Sequence, residues 1–192
     1  MTAEAISEPT APVKTPLAGE DLFEMGDIGW VELVKGELKH MSPPGYEHGL
    51  IENNFGGILR AFVRQHKLGY VMTGEVGLYT RRNPDTVRGM DVAFISHERM
   101  AQVKSGSYLD MAPELIIEVL SPNDLWSEVN DKLNEYFAIG VKLVWIANPK
   151  KQEVHVYRSL TDLEILTAQD TLSGGEVLPG FKVVVGELFE TA

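Results

Sequence analysis

The stretch Glu114-Leu115-Ile116-Ile117-Glu118-Val119-Leu120 is apolar at all but two positions and constrains the fold more than any other part of the chain. A strand with one face in water alternates polar and apolar residues, so a nearly continuous apolar run marks a central strand covered on both faces. Pro113 precedes it, and Ser121-Pro122-Asn123-Asp124 follows with the residue types that start helices. That spacing predicts a helix running to about Ile139 and ending at Gly140. Lys142–Ala147 then reads as a second buried strand, closed by Asn148-Pro149.

Upstream, Trp30–Val34 and Glu37–Met41 flank Lys35-Gly36 and read as a β-hairpin with glycine in the turn. A short helix is expected over Glu20–Met25. From Glu47 to His66, Leu50, Ile51, Phe55, Ile58, Leu59, Phe62 and Val63 recur at helical spacing, which leaves Arg60, Arg64 and Lys67 off the apolar stripe. Short strands are expected at Tyr70–Thr73, Val76–Thr80 and Met90–Ile95, with a turn at Asn83-Pro84-Asp85. Val154–Arg158 and Leu163–Thr167 read as a further hairpin, and Ser173-Gly174-Gly175 turns into a last strand near Phe181–Val185. This order predicts an α/β (α+β) fold around one central mixed β-sheet flanked by helices. The length of 192 residues fits one domain, read as residues 19–192 behind a flexible tail of residues 1–18 that is rich in Ala, Pro, Thr and Glu.

Composition removes several chemistries. With no cysteine, disulfides, thiolate zinc sites and thiol catalysis are excluded, and the chain suits a reducing cytoplasm. The N-terminus lacks the basic start and apolar block of a secretion signal, and no apolar run approaches the ~20 residues that span a bilayer. The expectation is a cytoplasmic protein with no membrane segment. A net charge of −11 argues against coating nucleic acid non-specifically, but it is unevenly spread. Residues 1–56 stand at −7, residues 57–108 at +4 and residues 109–192 at −8. The basic middle leaves room for a local polyanion contact; its arginines read equally well as solvated helix and hairpin surface.

Two carboxylates stand in apolar strands: Asp91 opens one, and Glu118 lies inside the most apolar one. A buried carboxylate costs several kcal/mol unless it is paired or bound to a metal. If the two strands are neighbours, the carboxylates converge, and hard oxygen ligands of that kind suit Mg²⁺ or Mn²⁺. Taken alone, Glu118 reads better as paired with a cation or reaching solvent at its strand's end. On the following helix Glu128, Lys132 and Tyr136 recur every four residues and share a face, which by itself describes a surface Glu–Lys pair. Glu47 and His48 begin the long helix, with Glu52 one turn on. The five histidines lack zinc spacing, and the chain has no nucleophile elbow, phosphate loop or dinucleotide fingerprint. Paired carboxylates also serve glycosidases, but Trp30, Trp126 and Trp145 do not cluster as a sugar platform.

Taken in order, these residues resemble the Uma2 family (DUF820) of restriction-endonuclease-like proteins, a branch of the PD-(D/E)XK nuclease superfamily. The resemblance rests on Glu32–Leu38, Ser42-Pro43-Pro44 with His48 after it, Arg88-Gly89-Met90-Asp91-Val92 and Pro113–Pro122. It continues through Glu128, Lys132 and Tyr136, then Gly140-Val141, Trp145 and Leu178-Pro179-Gly180-Phe181. It implies a restriction-endonuclease-like core and a site spread over two neighbouring strands. Asp91 and Glu118, with the main-chain carbonyl of Val119, match the positions that hold a divalent metal, Mg²⁺ or Mn²⁺. The lysine usual two residues after Glu118 is here Leu120, and Lys132 on the next helix is the position that matches it. Glu128 and Tyr136 stand beside that lysine, and His48 and Glu37 match polar positions near the site.

The function so implied is endonucleolytic hydrolysis of DNA phosphodiester bonds, with the basic segment 57–108 against the DNA backbone and a homodimer as the assembly. The competing reading is a catalytically degenerate nuclease fold kept as a binding or regulatory module, which Leu120 and the charge of −11 favour.

Overall fold

The computed structural model describes residues 15–122 and 124–190. Of the expected tail, residues 1–14 therefore lie outside the described residues, whereas the Leu17 amide donates to the Gly36 carbonyl at 2.9 Å. Helix α1 (Gly19–Glu24) leads into the hairpin β1 (Val31–Val34) and β2 (Glu37–His40). Lys35 and Gly36 both have positive φ, at 52° and 80°, as a two-residue turn matched to strand twist requires. Helix α2 (Tyr46–His66) follows, then β3 (Gly69–Arg81) and β4 (Thr86–Ser96), and the single helical turn α3 (His97–Met100).

The apolar run forms β5 (Leu115–Val119), every residue of which is buried. Helix α4 (Trp126–Ala138) carries the chain over to β6 (Leu143–Asn148), which lies parallel to β5 with Glu118 opposite Ile146. The strands β7 (Glu153–Tyr157) and β8 (Leu163–Leu166) complete the large sheet. The order is β2-β1-β4-β5-β6-β7-β8, with β3 paired to the other side of β4. A small second sheet joins β9 (Thr171–Ser173) to β10 (Lys182–Val184), followed by α5 (Val185–Leu188). The mixed sheet with flanking helices is the architecture expected.

Alternation along β5 sorts its side chains between two cores. Leu115, Ile117 and Val119 pack with Ile51, Phe55 and Leu59 of α2, with Trp145, and with the small sheet. Ile116 faces the other way, with Val129, Leu133 and Tyr136 of α4. Glu118 shares that second face, so its carboxylate points at α4 from within the sheet.

Three local expectations are corrected. Helix α4 begins at Trp126 and not near Ser121, because Asp124 Oδ2 accepts the Ser121 amide at 2.8 Å and closes a separate turn; Asn123 lies outside the described residues. The two strands expected at Tyr70–Thr73 and Val76–Thr80 are one strand, β3, interrupted by a bulge between Thr73 and Val76. Strand β9 and the short helices α3 and α5 carry too few residues to show a periodicity, and the expected readings lacked them.

Candidate active site

Strand β4 is forked. On one side it pairs with β3 over its whole length; on the other it pairs with β1 at Val87 and with β5 from Val92 to Phe94. Between those contacts the backbone of Arg88–Asp91 faces no strand, and side chains take the place of one. The Gly89 amide donates to Glu32 Oε1 at 3.1 Å, and the Gly89 carbonyl accepts from Lys132 Nζ at 3.1 Å. A Cβ at Gly89 would stand 2.8 Å from Glu75 Oε2, so glycine leaves the space through which that carboxylate reaches the fork.

Strands β4 and β5 are neighbours, as convergence of the two carboxylates required. The register Val92↔Ile117 and Ala93↔Ile116, carried one step further, sets Asp91 opposite Glu118. Asp91 is 4% exposed and Glu118 9%. Asp91 Oδ2 accepts the Val119 amide at 2.6 Å and lies 3.2 Å from Nε2 of His48, in the first turn of α2. Burial raises the Asp91 carboxyl, but the hydrogen bond and charge of His48, the Lys132 charge and the Val119 amide outweigh it and hold the group below its ordinary range.

Glu118 takes Lys132 Nζ at 2.7 Å on Oε2 and the Tyr136 hydroxyl at 2.7 Å on Oε1. Burial, helped by the nearby Asp91 charge, pushes the Glu118 carboxyl up to about 7 against the opposing pull of Lys132. Burial pulls the Lys132 ammonium down, yet Glu118, Tyr136, Glu32 and Asp91 together hold it well above its ordinary value. These neighbours favour the charged ammonium of Lys132 over the neutral amine. Its approach from α4 places an ammonium beside Glu118 where Leu120 offers none, and Leu120 packs into the apolar cluster under α4.

The surface pair between Glu128 and Lys132 does not form. Lys132 serves the buried acids Glu118 and Glu32, and Glu128 pairs with Lys39 of β2 at 2.7 Å across the mouth. Asp91, Glu118, Val119, Lys132, Tyr136, His48 and Glu128 all line one cleft of about 490 Å³. Glu37 does not. It shares a hairpin face with Lys39 but sits two residues nearer the turn, opposite Val34 and exposed to solvent.

Three charged residues of the cleft were missed by sequence reasoning. Glu32 is 5% exposed and binds Arg88 at 2.9 Å and Lys132 at 3.3 Å. Arg88 also bonds Glu135 of α4 at 2.7 Å. Glu75 sits in the β3 bulge at φ 58°, where Glu52 of α2 accepts the Gly74 amide at 2.8 Å. Burial, with Asp91 and Glu118 adding repulsion, pushes the Glu75 carboxyl up to about 8. The available signal was Gly74-Glu75 splitting an otherwise continuous strand pattern, which is how a bulge reads in sequence.

The basic segment 57–108 is likewise corrected in part. Arg88 is buried in ion pairs, Arg99 bonds the carbonyls of Ala112, Pro113 and Gly140, and Arg82 pairs with Glu20 and Asp85. Arg88 and Arg99 are thus held by buried acids and main-chain carbonyls, while Arg82 pairs at the surface and Arg60, Arg64, Lys67, Arg81 and Lys104 stay exposed.

The cleft concentrates hard oxygen donors. Without a further cation, burial and then repulsion from Asp91 disfavour the charged forms of Glu75 and Glu118. That donor chemistry fits Mg²⁺ or Mn²⁺. Among the described residues no three His, Asp or Glu side chains gather tightly enough to enclose a metal ion. Magnesium accommodates such a site, since it keeps several waters and takes only one or two protein carboxylates.

A mixed sheet forked over buried carboxylates, with helices on both faces, places the protein among nuclease-like α+β folds. A crystal structure of a putative nuclease belonging to DUF820 from Anabaena variabilis superposes with a TM-score of 0.74 at 16% identity, covering 91% of this chain and 98% of that one. The chain belongs to the Uma2 family, described as "Putative restriction endonuclease", whose model matches residues 20–186. No curated protein matches it. No helix among the described residues is long and apolar enough to cross a membrane.

Proposed function

We propose that the cleft hydrolyses DNA phosphodiester bonds with the help of Mg²⁺ or Mn²⁺, in a cytoplasmic homodimer. The observation that carries this reading is the pairing of Asp91 with Glu118 across neighbouring strands, with the Lys132 ammonium 2.7 Å from Glu118. Asp91, Glu118 and the Val119 carbonyl would hold the cation, which supplies Lewis-acid polarisation of the phosphoryl group and lowers the pKa of a water. His48 keeps Asp91 ionised through its hydrogen bond and charge. Tyr136 orients Glu118 by donating its hydroxyl to Oε1 from α4. Lys132, held by Glu118, Glu32 and the Gly89 carbonyl, presents a positive charge to the oxygens on which negative charge builds during displacement. Family membership and a nuclease-like fold support the substrate class.

The test is cleavage of single-stranded, supercoiled and linear duplex DNA in Mn²⁺ by wild type, Asp91→Asn and Glu118→Gln, with loss of any one of these substrates as the readout. Cleavage by wild type that both variants lose supports the reading. Equal cleavage by all three overturns the site.

A second reading has its own observation. Both Glu118 oxygens are already engaged by Lys132 and Tyr136, as in a structural ion pair. A degenerate nuclease fold acting as a binding module would show no metal-dependent cleavage and no stabilisation by metal.

A further inference from the structure

The ladder of β1 and β2 continues past both strand ends, where the Met41 amide donates to the Trp30 carbonyl at 2.8 Å. Trp30 and Met41 therefore stand on the hairpin face already occupied by Glu32 and Lys39, one step further from the turn. Both line the cleft with Pro43 and Pro44, and they are exposed: Trp30 by 44% and Met41 by 38%. Tyr46, beside this rim at the start of α2, is 86% exposed. An apolar and aromatic wall thus rises next to the carboxylates.

The cations of the same cleft are already committed. Among the described residues, Lys39 pairs with Glu128, Lys132 with Glu118 and Glu32, and Arg88 with Glu32 and Glu135, and these are all the lysines and arginines that line it. Duplex DNA is gripped chiefly through its phosphates by free Lys and Arg, and it keeps its base faces stacked on one another. Unpaired strands expose base faces and bind by stacking on aromatic side chains, which needs few free cations.

From this combination we infer that the cleft takes an unpaired nucleic-acid strand, with a nucleobase stacked on Trp30 beside Met41, and not a continuous duplex. The inference rests on the phosphodiester reading of the site and adds its substrate form. Trp30 stacks the base of a nucleotide whose phosphate approaches Asp91 and Glu118, so the aromatic wall sets which strand enters. The chemistry is shared by single-stranded DNA and RNA.

The test is fluorescence anisotropy of the full chain with labelled oligo-dT, oligo-rU and a dT·dA duplex, each of about 12 nucleotides, a length within known single-strand site sizes. Ca²⁺ replaces Mg²⁺ throughout. Oligo-dT or oligo-rU should bind at least about tenfold tighter than the duplex, and Trp30→Ala should weaken that binding roughly tenfold while Trp30→Phe retains most of it. A shallow dependence on salt should accompany it. Whichever of dT and rU binds tighter names the strand, and either supports the inference. Duplex binding as tight as single-strand binding, or single-strand binding untouched by Trp30→Ala, overturns it. A change in molar mass by light scattering for Trp30→Ala without a change in binding also overturns it, by showing that the rim joins copies of the chain. None of these bears on whether Glu118→Gln abolishes Mn²⁺-dependent cleavage, so failure here and failure of the hydrolase reading are told apart.

Discussion

Lys132 and Glu118 meet at 2.7 Å from different elements, the lysine descending from α4 and the glutamate rising from the centre of the sheet. The pair couples helix position to the carboxylate, because the same ammonium also binds the Gly89 carbonyl at 3.1 Å on the neighbouring strand. Removing it leaves Glu118 buried with only a tyrosine hydroxyl. Lys132→Met is expected to destabilise the protein by about 3–5 kcal/mol in urea unfolding, as for other broken buried pairs. The double variant Lys132→Met/Glu118→Leu should recover part of that loss, since Glu118 is gone and Glu32 keeps Arg88 as its partner.

Tyr136→Phe isolates one hydrogen bond. The ring is fully buried and its hydroxyl donates to Glu118 Oε1. Removing the hydroxyl should cost about 1 kcal/mol by chemical denaturation and leave the helix packing unchanged, because the apolar ring stays. It should also raise the Glu118 carboxyl further, measurable by carbonyl infrared titration.

The pH dependence of stability has two opposing parts. Glu75 and Glu118, ordinarily near 4.5, titrate at about 8 and about 7 in the folded protein. Between 4.5 and those values the folded chain holds protons that the unfolded chain has released, so these groups reduce stability as pH rises. Glu32 acts the other way. Burial raises its carboxyl, but Lys132 and Arg88 bring it below 4.5, so its contribution is present above that value and lost as pH falls through the folded one. Urea midpoints measured without metal should therefore decline from about pH 5 to pH 8, and Glu75→Gln should flatten part of that decline. An unchanged slope in the variant contradicts the placement of Glu75.

A divalent cation bound to the carboxylates should reverse that decline. Thermal melting in Mn²⁺ is expected to raise the midpoint of wild type, by the equivalent of about 2.7 kcal/mol at a hundredfold excess over Kd. Glu118→Gln should show no rise. Absence of a rise in wild type favours the binding-module reading.

What could be read in the sequence follows from how local each signal is. The β5 run, the α2 stripe and the hairpin turn at Lys35-Gly36 are patterns completed within a few residues, and the structure carries each of them. Asp91 and Glu118 stood out because a charge in an apolar strand is anomalous whatever surrounds it. Glu32 and Arg88 did not, because each sits in a segment where charged residues look like a solvated face, and their burial arises only when α4 closes over the fork. Glu37 shows the converse: Glu32 of the same motif and Lys39 just beyond it reach the cleft, while two residues along the hairpin suffice to carry Glu37 into solvent. The charge of the segment 57–108 is split in the same way, since a linear count cannot separate Arg88, held inside, from Arg60, Arg64, Lys67, Arg81 and Lys104, which face outward.

The fork at Gly89 has one more consequence. Where a sheet parts, its open backbone invites another strand, and proteins ordinarily guard such places with prolines or surface charge. Here the guard is the Glu32 carboxylate on the amide and the Lys132 ammonium on the carbonyl, the same groups that surround the proposed site. Taking away either group would leave a Gly89 main-chain polar atom without its partner, so these charges seal the parted sheet whether or not any reaction takes place beside them.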